Sequence, residues 1–250
     1  SNGGLAGNYT LTGGTHQLTV NQRPLNATLA RQYDGTTAAA GSTLSAFDAL
    51  QGGETLTLSG SGTAANDNVA NGITVSSLGT LALVNGTGLA SNYSLNSAVI
   101  NVTQRPISLS GTRLYDATTN AVASDLSTHA NLVGSETLTL SGTGTIASKD
   151  VGSNKTVSVG TLALADGTNG GLAANYTLSG GTHQLTVNQR PLNATLSRQY
   201  DGTTAAAGST LSSFDALQGG ETLTMTGSGT AASANVANGI AMSSNGNLAL

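Results

Sequence analysis

The side chains of this 250-residue chain best suited to chemistry are three histidines, six tyrosines and a recurring set of aspartates, glutamates and arginines. His16 and His183 share the sequence Gly-Gly-Thr-His-Gln-Leu, and His129 stands apart. A catalytic or metal-bound histidine needs an acid, a nucleophile or a second ligand at matched spacing, and no Asp or Ser partner recurs beside these three. They read as strand residues. Asp34, Asp116 and Asp201 each follow a tyrosine and could offer oxygen to Ca²⁺. One carboxylate per loop falls short of the several oxygens that ion takes, so turn formation is the better reading. The tyrosines could stack on sugar rings, but their fixed places at strand ends suit corner packing, with the hydroxyl bonded to backbone. Thr-X-Thr at Thr55–Thr57, Thr137–Thr139 and Thr222–Thr224 resembles an ice-binding face, which needs many closely ranked strands rather than one copy per repeat. Sequons such as those at Asn26, Asn92 and Asn193 follow from an Asn- and Thr-rich composition. No catalytic, cofactor-binding or metal-binding residue is assigned, and the chain is not expected to be an enzyme.

What positions these side chains is a tandem repeat. Gln-Arg-Pro occurs at Gln22–Pro24, Gln104–Pro106 and Gln189–Pro191, at intervals of 82 and 85 residues. Tyr-Asp follows at Tyr33-Asp34, Tyr115-Asp116 and Tyr200-Asp201. Asn-Tyr-(Thr/Ser)-Leu opens at Asn8, Asn92 and Asn175, placing Tyr9, Tyr93 and Tyr176. These blocks use all three prolines and all six tyrosines. Charge recurs as well: Arg23, Arg105 and Arg190; Arg31, Arg113 and Arg198; Glu54, Glu136 and Glu221. With the three aspartates this set is neutral, which suggests pairing within or between repeats. The net charge of −4 comes from variable positions, where six Asp outweigh Lys149 and Lys155.

Composition bounds the partners. Charged residues are 8% with no basic run, so nucleic acid is not an expected ligand. Cysteine is absent, which removes disulfides and Cys-based zinc or redox sites. No apolar run is long enough to span a membrane and no leader is present, so any export signal is expected outside this window. Aromatics are 3% and Trp is absent, which argues for several thin cores rather than one large one.

The expected organisation is residues 1–22 as the C-terminal part of a preceding repeat, 23–104 as the first module, 105–189 as the second and 190–250 as an incomplete third. An excerpt from a longer array would look this way. Modules one and three are near copies over Asn21–Asn71 and Asn188–Asn238, with a divergent one between. Alternation would keep identical neighbours apart and limit strand swapping during folding, and tandem duplication of a two-module unit gives the same pattern without selection. Within a module, Leu25, Ala27 and Leu29 share one strand face, and Asp34-Gly35 makes a turn that Ala117 would have to make without glycine. Ser42–Leu50 fits a helical turn or a loop. Strands are expected at Glu54–Leu58, Ile73–Val75, Thr80–Leu83, Asn92–Leu95 and Val99–Thr103. The fold class is therefore all-β: a tandem array of about 83-residue small β-sandwich-like modules, Ig-like or β-grasp-like, forming an elongated rod of roughly 30 Å per module. A β-helix or solenoid is the alternative, although no period of 20–25 residues supports it.

The ordered blocks Tyr-Asp-Gly-Thr-Thr (Tyr33–Thr37, Tyr200–Thr204), Glu-Thr-Leu-Thr-Leu-Ser-Gly (Glu54–Gly60) and Asn-Tyr-Ser-Leu (Asn92–Leu95) resemble the YDG repeat modules of large bacterial adhesins of the filamentous-haemagglutinin, two-partner-secretion type. The resemblance spans the chain, and Tyr115-Asp116-Ala117 departs from it. It implies an extracellular or cell-surface location, export by an outer-membrane partner, and a stalk or biofilm-matrix role without catalytic residues. The function expected is thus a structural spacer, with polysaccharide binding by each repeat as the alternative. Partners would be neighbouring repeats, extracellular polysaccharide or a second copy, with no cofactor and no membrane insertion by this segment.

Overall fold

The computed structural model describes residues 2–250, with Thr128 described by its backbone only. Ser1, the first residue of the 1–22 segment, and the Thr128 side chain lie outside the described residues. The chain divides between Arg105 and Pro106 into two compact units.

The first module contains β1 (Arg23–Gln32), β2 (Ala38–Ala40), β3 (Leu44–Phe47), β4 (Leu56–Ser59), β5 (Ser61–Ala64), β6 (Ala70–Ser77), β7 (Ala82–Asn85) and β8 (Tyr93–Thr103). Alternation in β1 buries Leu25, Ala27 and Leu29 at 0%, 1% and 0% exposure, as the period of two requires. Six strands form one sheet in the order β2-β5-β6-β8-β1-β3, while β4 and β7 form a separate antiparallel ribbon. The first and last strands of the module lie side by side at the sheet centre and run parallel, from Arg23 opposite Tyr93 to Gln32 opposite Thr103. A parallel pair cannot be closed by a tight hairpin. Here the whole body of the module serves as the crossover. Leu25, Leu56 and Tyr93 form a buried cluster with Phe47, Leu50 and Leu83 around it, so the ribbon packs on the sheet at the β1 entrance.

Parallel terminal strands in a mixed sheet match the β-grasp-like form of the expected module, since Ig-type sheets pair antiparallel. They contradict the β-helix alternative. Every other strand pair of this module is antiparallel, and stacked rungs would be parallel throughout.

The second module repeats the plan with β9 (Arg105–Pro106), β10 (Ser108–Leu114), β11 (Asn120–Val122), β12 (Thr128–Ala130), β13 (Leu138–Ser141), β14 (Thr143–Ile146), β15 (Gly152–Ser158), β16 (Ala163–Asp166), β17 (Tyr176–Thr177) and β18 (His183–Asn188). Its sheet order β11-β14-β15-β18-β10-β12 is that of the first module, with β10 and β18 parallel. The third contains β19 (Ala194–Leu196), β20 (Ala205–Ala207), β21 (Leu211–Phe214), β22 (Ser228–Ala231) and β23 (Met242–Ser244). Its strands fall into two sheets, β19-β21 and β20-β22-β23. The counterpart of β1 has three residues against ten, and Tyr200 is 66% exposed where Tyr33 is 3%.

Two local expectations are corrected. Ser42–Leu50 is neither a helical turn nor a plain loop: a short 3-10 turn at Gly41–Thr43 leads into β3. Leu44 and Phe47 face Leu29 and Ala27 across a register shift, so one extra residue on β3 turns a two-residue spacing into three. At the second module's turn, Ala117 takes φ 63°, beside 70° at Gly35 and 72° at Gly202. The turn keeps its shape and the alanine Cβ bears the strain. Ala117→Gly is therefore expected to stabilise the second module by about 0.5–1 kcal/mol, read as a higher urea midpoint at unchanged slope.

Candidate functional site

The recurring polar residues assemble into two structural devices in each complete module, and neither has an open chemical centre. The first is the turn after the first strand. Arg31 pairs with Asp34 and reaches the carbonyl of Thr36, while Asp34 Oδ1 accepts from the Thr36 N–H at 3.0 Å and its hydroxyl at 2.9 Å. Arg113, Asp116 and Thr118 repeat this arrangement, as do Arg198, Asp201 and Thr203. Asp three residues after Arg lets the guanidinium fold back over the turn, and the aspartate bonds the backbone two residues on. The position that could have offered oxygen to Ca²⁺ is thus taken by a guanidinium. Among the described residues no group of three or more His, Cys, Asp or Glu is placed to hold a metal ion. Threonine recurs in the sequence at this third position, and its role as clip acceptor and donor was the part that strand propensity alone obscured.

The second device joins the late tyrosine to the recurring glutamate. Tyr176 donates its hydroxyl to Glu136 at 2.5 Å and accepts from the Val133 N–H at 3.0 Å; Tyr93 does the same with Glu54 and the Gln51 N–H. Both rings are buried, at 2% and 5% exposure. Corner packing is what these tyrosines do, and the hydroxyl serves a carboxylate as well as backbone. The bond to Glu54 raises the Tyr93 pKa above the ordinary phenol value.

The arginine before each proline has a different task. Arg105 Nη1 donates to the Tyr33 carbonyl at 3.4 Å and Arg190 Nε to the Tyr115 carbonyl at 2.6 Å, so each reaches back to the Tyr-Asp turn of the preceding module. Arg23 Nε donates to Ala49 O at 2.8 Å. Pro24 and Pro106 lie in β1 and β9, and Pro191 is exposed just before β19. Of the expected neutral pairing, the Arg–Asp half exists within turns, whereas these arginines bind carbonyls.

At the junction of the second and third modules a residue outside the recurring set takes part. Lys149 pairs with Glu221 and donates to the Tyr115 hydroxyl at 2.8 Å, and that hydroxyl donates to Glu221. Lys149 and the Tyr115 hydroxyl hold the Glu221 carboxyl below its usual range, and Glu221 raises Lys149. Lysine occurs at no equivalent position in the other repeats, so periodicity could not single it out.

His183 is buried on β18; Leu109 N–H donates to its Nδ1 at 3.3 Å, which leaves Nε2–H to donate to Leu178 O at 2.9 Å. This is the structural histidine expected. Its repeat counterpart His16 is exposed and bonds Leu11 O at 2.8 Å.

Five carboxylates have lowered pKa values. Asn26 and Asn193 donate backbone and side-chain N–H groups to Asp48 and Asp215. The Thr203 N–H and Arg198 do the same for Asp201, and Lys149 lowers Glu221. At Asp116 burial pushes upward, and Thr118 and Arg113 together outweigh it. Asp125 is raised by burial. A carboxylate lowered in the folded state stabilises the fold fully above its unfolded pKa, and that contribution is lost as pH falls through the folded pKa. Five lowered groups against one raised mean that thermal midpoints should fall as pH drops below about 4, and hold steady between about 5 and 7.

The family model of the YDG domain matches the chain three times, over residues 15–101, 100–184 and 181–250. No curated protein and no solved structure matches the chain. With three successive matches that together take in nearly all of the sequence, each corresponding to one turn of the repeat that carries the Arg-Asp-Thr clip, the chain belongs to the YDG domain family.

Proposed function

We propose that these repeats are a structural spacer of an extracellular bacterial adhesin or biofilm-matrix fibre, exported by two-partner secretion. The observation that supports this reading is the junction between the second and third modules. There β18 ends at Asn188 and the next module begins at Arg190, with Arg190 bonded to Tyr115 and Glu221 held by Tyr115 and Lys149. A junction without a linker, crossed by a side-chain network, resists bending better than a flexible connector would. The recurring side chains are spent on turns, corners and junctions, which suits a part that holds other parts apart. Partners in this role are the neighbouring repeats themselves.

Retention of this chain on bacterial matrix polysaccharide, compared with chains of one and two repeats, tests the reading. A spacer is not retained at any repeat number. Retention that rises with repeat number would replace the spacer role with polysaccharide binding.

A further inference from the structure

We propose that each complete module is a force-bearing clamp: tension along the chain loads its central parallel strand pair in shear, and the module resists extension until that pair gives way as a unit. The proposal rests on the spacer reading for its use, since a spacer carries load from one end to the other, and on the sheet for its mechanism.

The loading direction follows from where the chain enters and leaves. In the first module the chain enters at Arg23, the first residue of β1, and leaves at Thr103, the last residue of β8. These strands are parallel neighbours, with Arg23 beside Tyr93 and Gln32 beside Thr103. Entry and exit therefore lie at opposite ends of one ladder, separated by the length of a ten-residue strand, roughly 33 Å. Tension draws β1 backward past β8 along the strand direction. Every bond of the ladder then shares the load, whereas two strands pulled from the same end open one bond at a time. The strands β2 to β7 lie between entry and exit in the chain, so none of them feels tension until the pair slips.

Burial and flanking bonds reinforce the pair. Leu25 and Leu29 on β1 and Ile100 and Val102 on β8 are at most 1% exposed, so water does not replace the ladder bonds as they stretch. At the exit end the Tyr33 N–H donates to Thr103 O at 2.9 Å, and Arg105 Nη1 donates to Tyr33 O at 3.4 Å. On its far side β8 is held by β6, with Ala70 opposite Val102 and Ile73 opposite Ile100. The second module has the same clamp with a shorter ladder. There β10 and β18 pair in parallel at six positions, from Leu109 opposite His183 to Leu114 opposite Asn188, against ten in the first module. Residues 178–182 interrupt the ladder and leave β9 with β17 as a separate piece. Under rising load the second module opens first.

The chain has no cysteine, so attachment points are introduced without interference. Gln22, Asn92, Gln104 and Gln189 are exposed. In single-molecule force spectroscopy on the full chain, handles on Gln22→Cys/Gln104→Cys load the first module in shear, and handles on Gln22→Cys/Asn92→Cys pull the same two strands apart from one end. At equal loading rate the shear direction should require a force at least about twofold higher, and should then lengthen the chain by roughly 250 Å in a single step. Handles on Gln104→Cys/Gln189→Cys should open the second module at a lower force than the first. Ile100→Ala should lower the shear force of the first module, while Leu58→Ala in the β4–β7 ribbon should leave it within about a tenth, although both variants lower the urea midpoint. Equal forces in the two directions, extension in several small steps, a second module as strong as the first, or a loss of force in Leu58→Ala that matches Ile100→Ala would each overturn the proposal. The two readings fail separately: polysaccharide retention that rises with repeat number removes the spacer role and leaves the clamp, and a module that opens as easily in shear as in peeling removes the clamp and leaves the spacer.

Discussion

Replacing Ile100 with alanine is expected to destabilise the first module by about 3 kcal/mol, since Ile100 is fully buried at the centre of β8 between Leu29 and Ile73. Leu185→Ala should cost the second module a similar amount, because Leu185 holds the same position on β18 and is equally buried. Thr57, on the exposed face of β4, is the control, and its replacement by alanine should stay within about 0.5 kcal/mol. Urea unfolding followed module by module measures all three. The large cost has a topological origin. The last strand of a module joins the first strand on one side and β6 or β15 on the other, so a cavity there loosens both halves of the sheet at once.

Much of this plan was legible in the sequence. The alternation of Leu25, Ala27 and Leu29 located β1 and its buried face, and the scarce tyrosines located the corners. Three things were hidden, each for a physical reason. β2 and β5 are built from Ala, Gly, Ser and Thr, whose small side chains carry little hydrophobic signal even where Ala39 and Ala64 are buried. β3 lost its period of two to a bulge. The parallel pairing of β1 with β8 joins residues about seventy positions apart, and no local pattern records such a partner. The polar devices were half visible. Recurrence picked out Arg31, Asp34, Glu54 and Tyr93, and a neutral sum suggested pairing, yet only geometry distinguishes an arginine that meets a carboxylate from one that meets a carbonyl.

Arg113→Ala should be the most damaging change among the recurring polar residues, lowering second-module stability by about 2 kcal/mol. The Arg113 side chain is 6% exposed and that of Asp116 35%, so the loss falls short of that for a fully buried pair but exceeds that of a surface pair. The Asp116 carboxylate and the Thr118 carbonyl lose the guanidinium together, and Asp116 keeps only its bonds from Thr118. Arg113→Lys should recover less than half of the loss, because a single ammonium cannot serve both acceptors in the fork geometry of a guanidinium. The net value is held down by Arg113 Nε, which is buried without a hydrogen-bond partner, as is Arg31 Nε. Arg198→Ala, at a site 24% exposed in the third module, should cost less than Arg113→Ala. Equal losses at the two sites would mean that burial does not set the strength of the clip. A loss below about 0.5 kcal/mol at Arg113 would place it with ordinary surface ion pairs.

The clip, the Tyr–Glu corner and the arginine that reaches back to the preceding turn give the repeat its sequence signature. Under the proposed spacer function they hold each module in the shape that the next one meets. That explains why the scarce residues recur at fixed spacing while loop residues vary, and why Lys149 can strengthen one junction without belonging to the pattern.

The most direct test is small-angle X-ray scattering on chains of one, two, three and four complete repeats. A stacked spacer predicts a maximum dimension that grows by a constant increment of roughly 30 Å for each repeat added, from the length of the central strands. Growth that slows with every repeat, as in a compact particle whose volume alone increases, would contradict it.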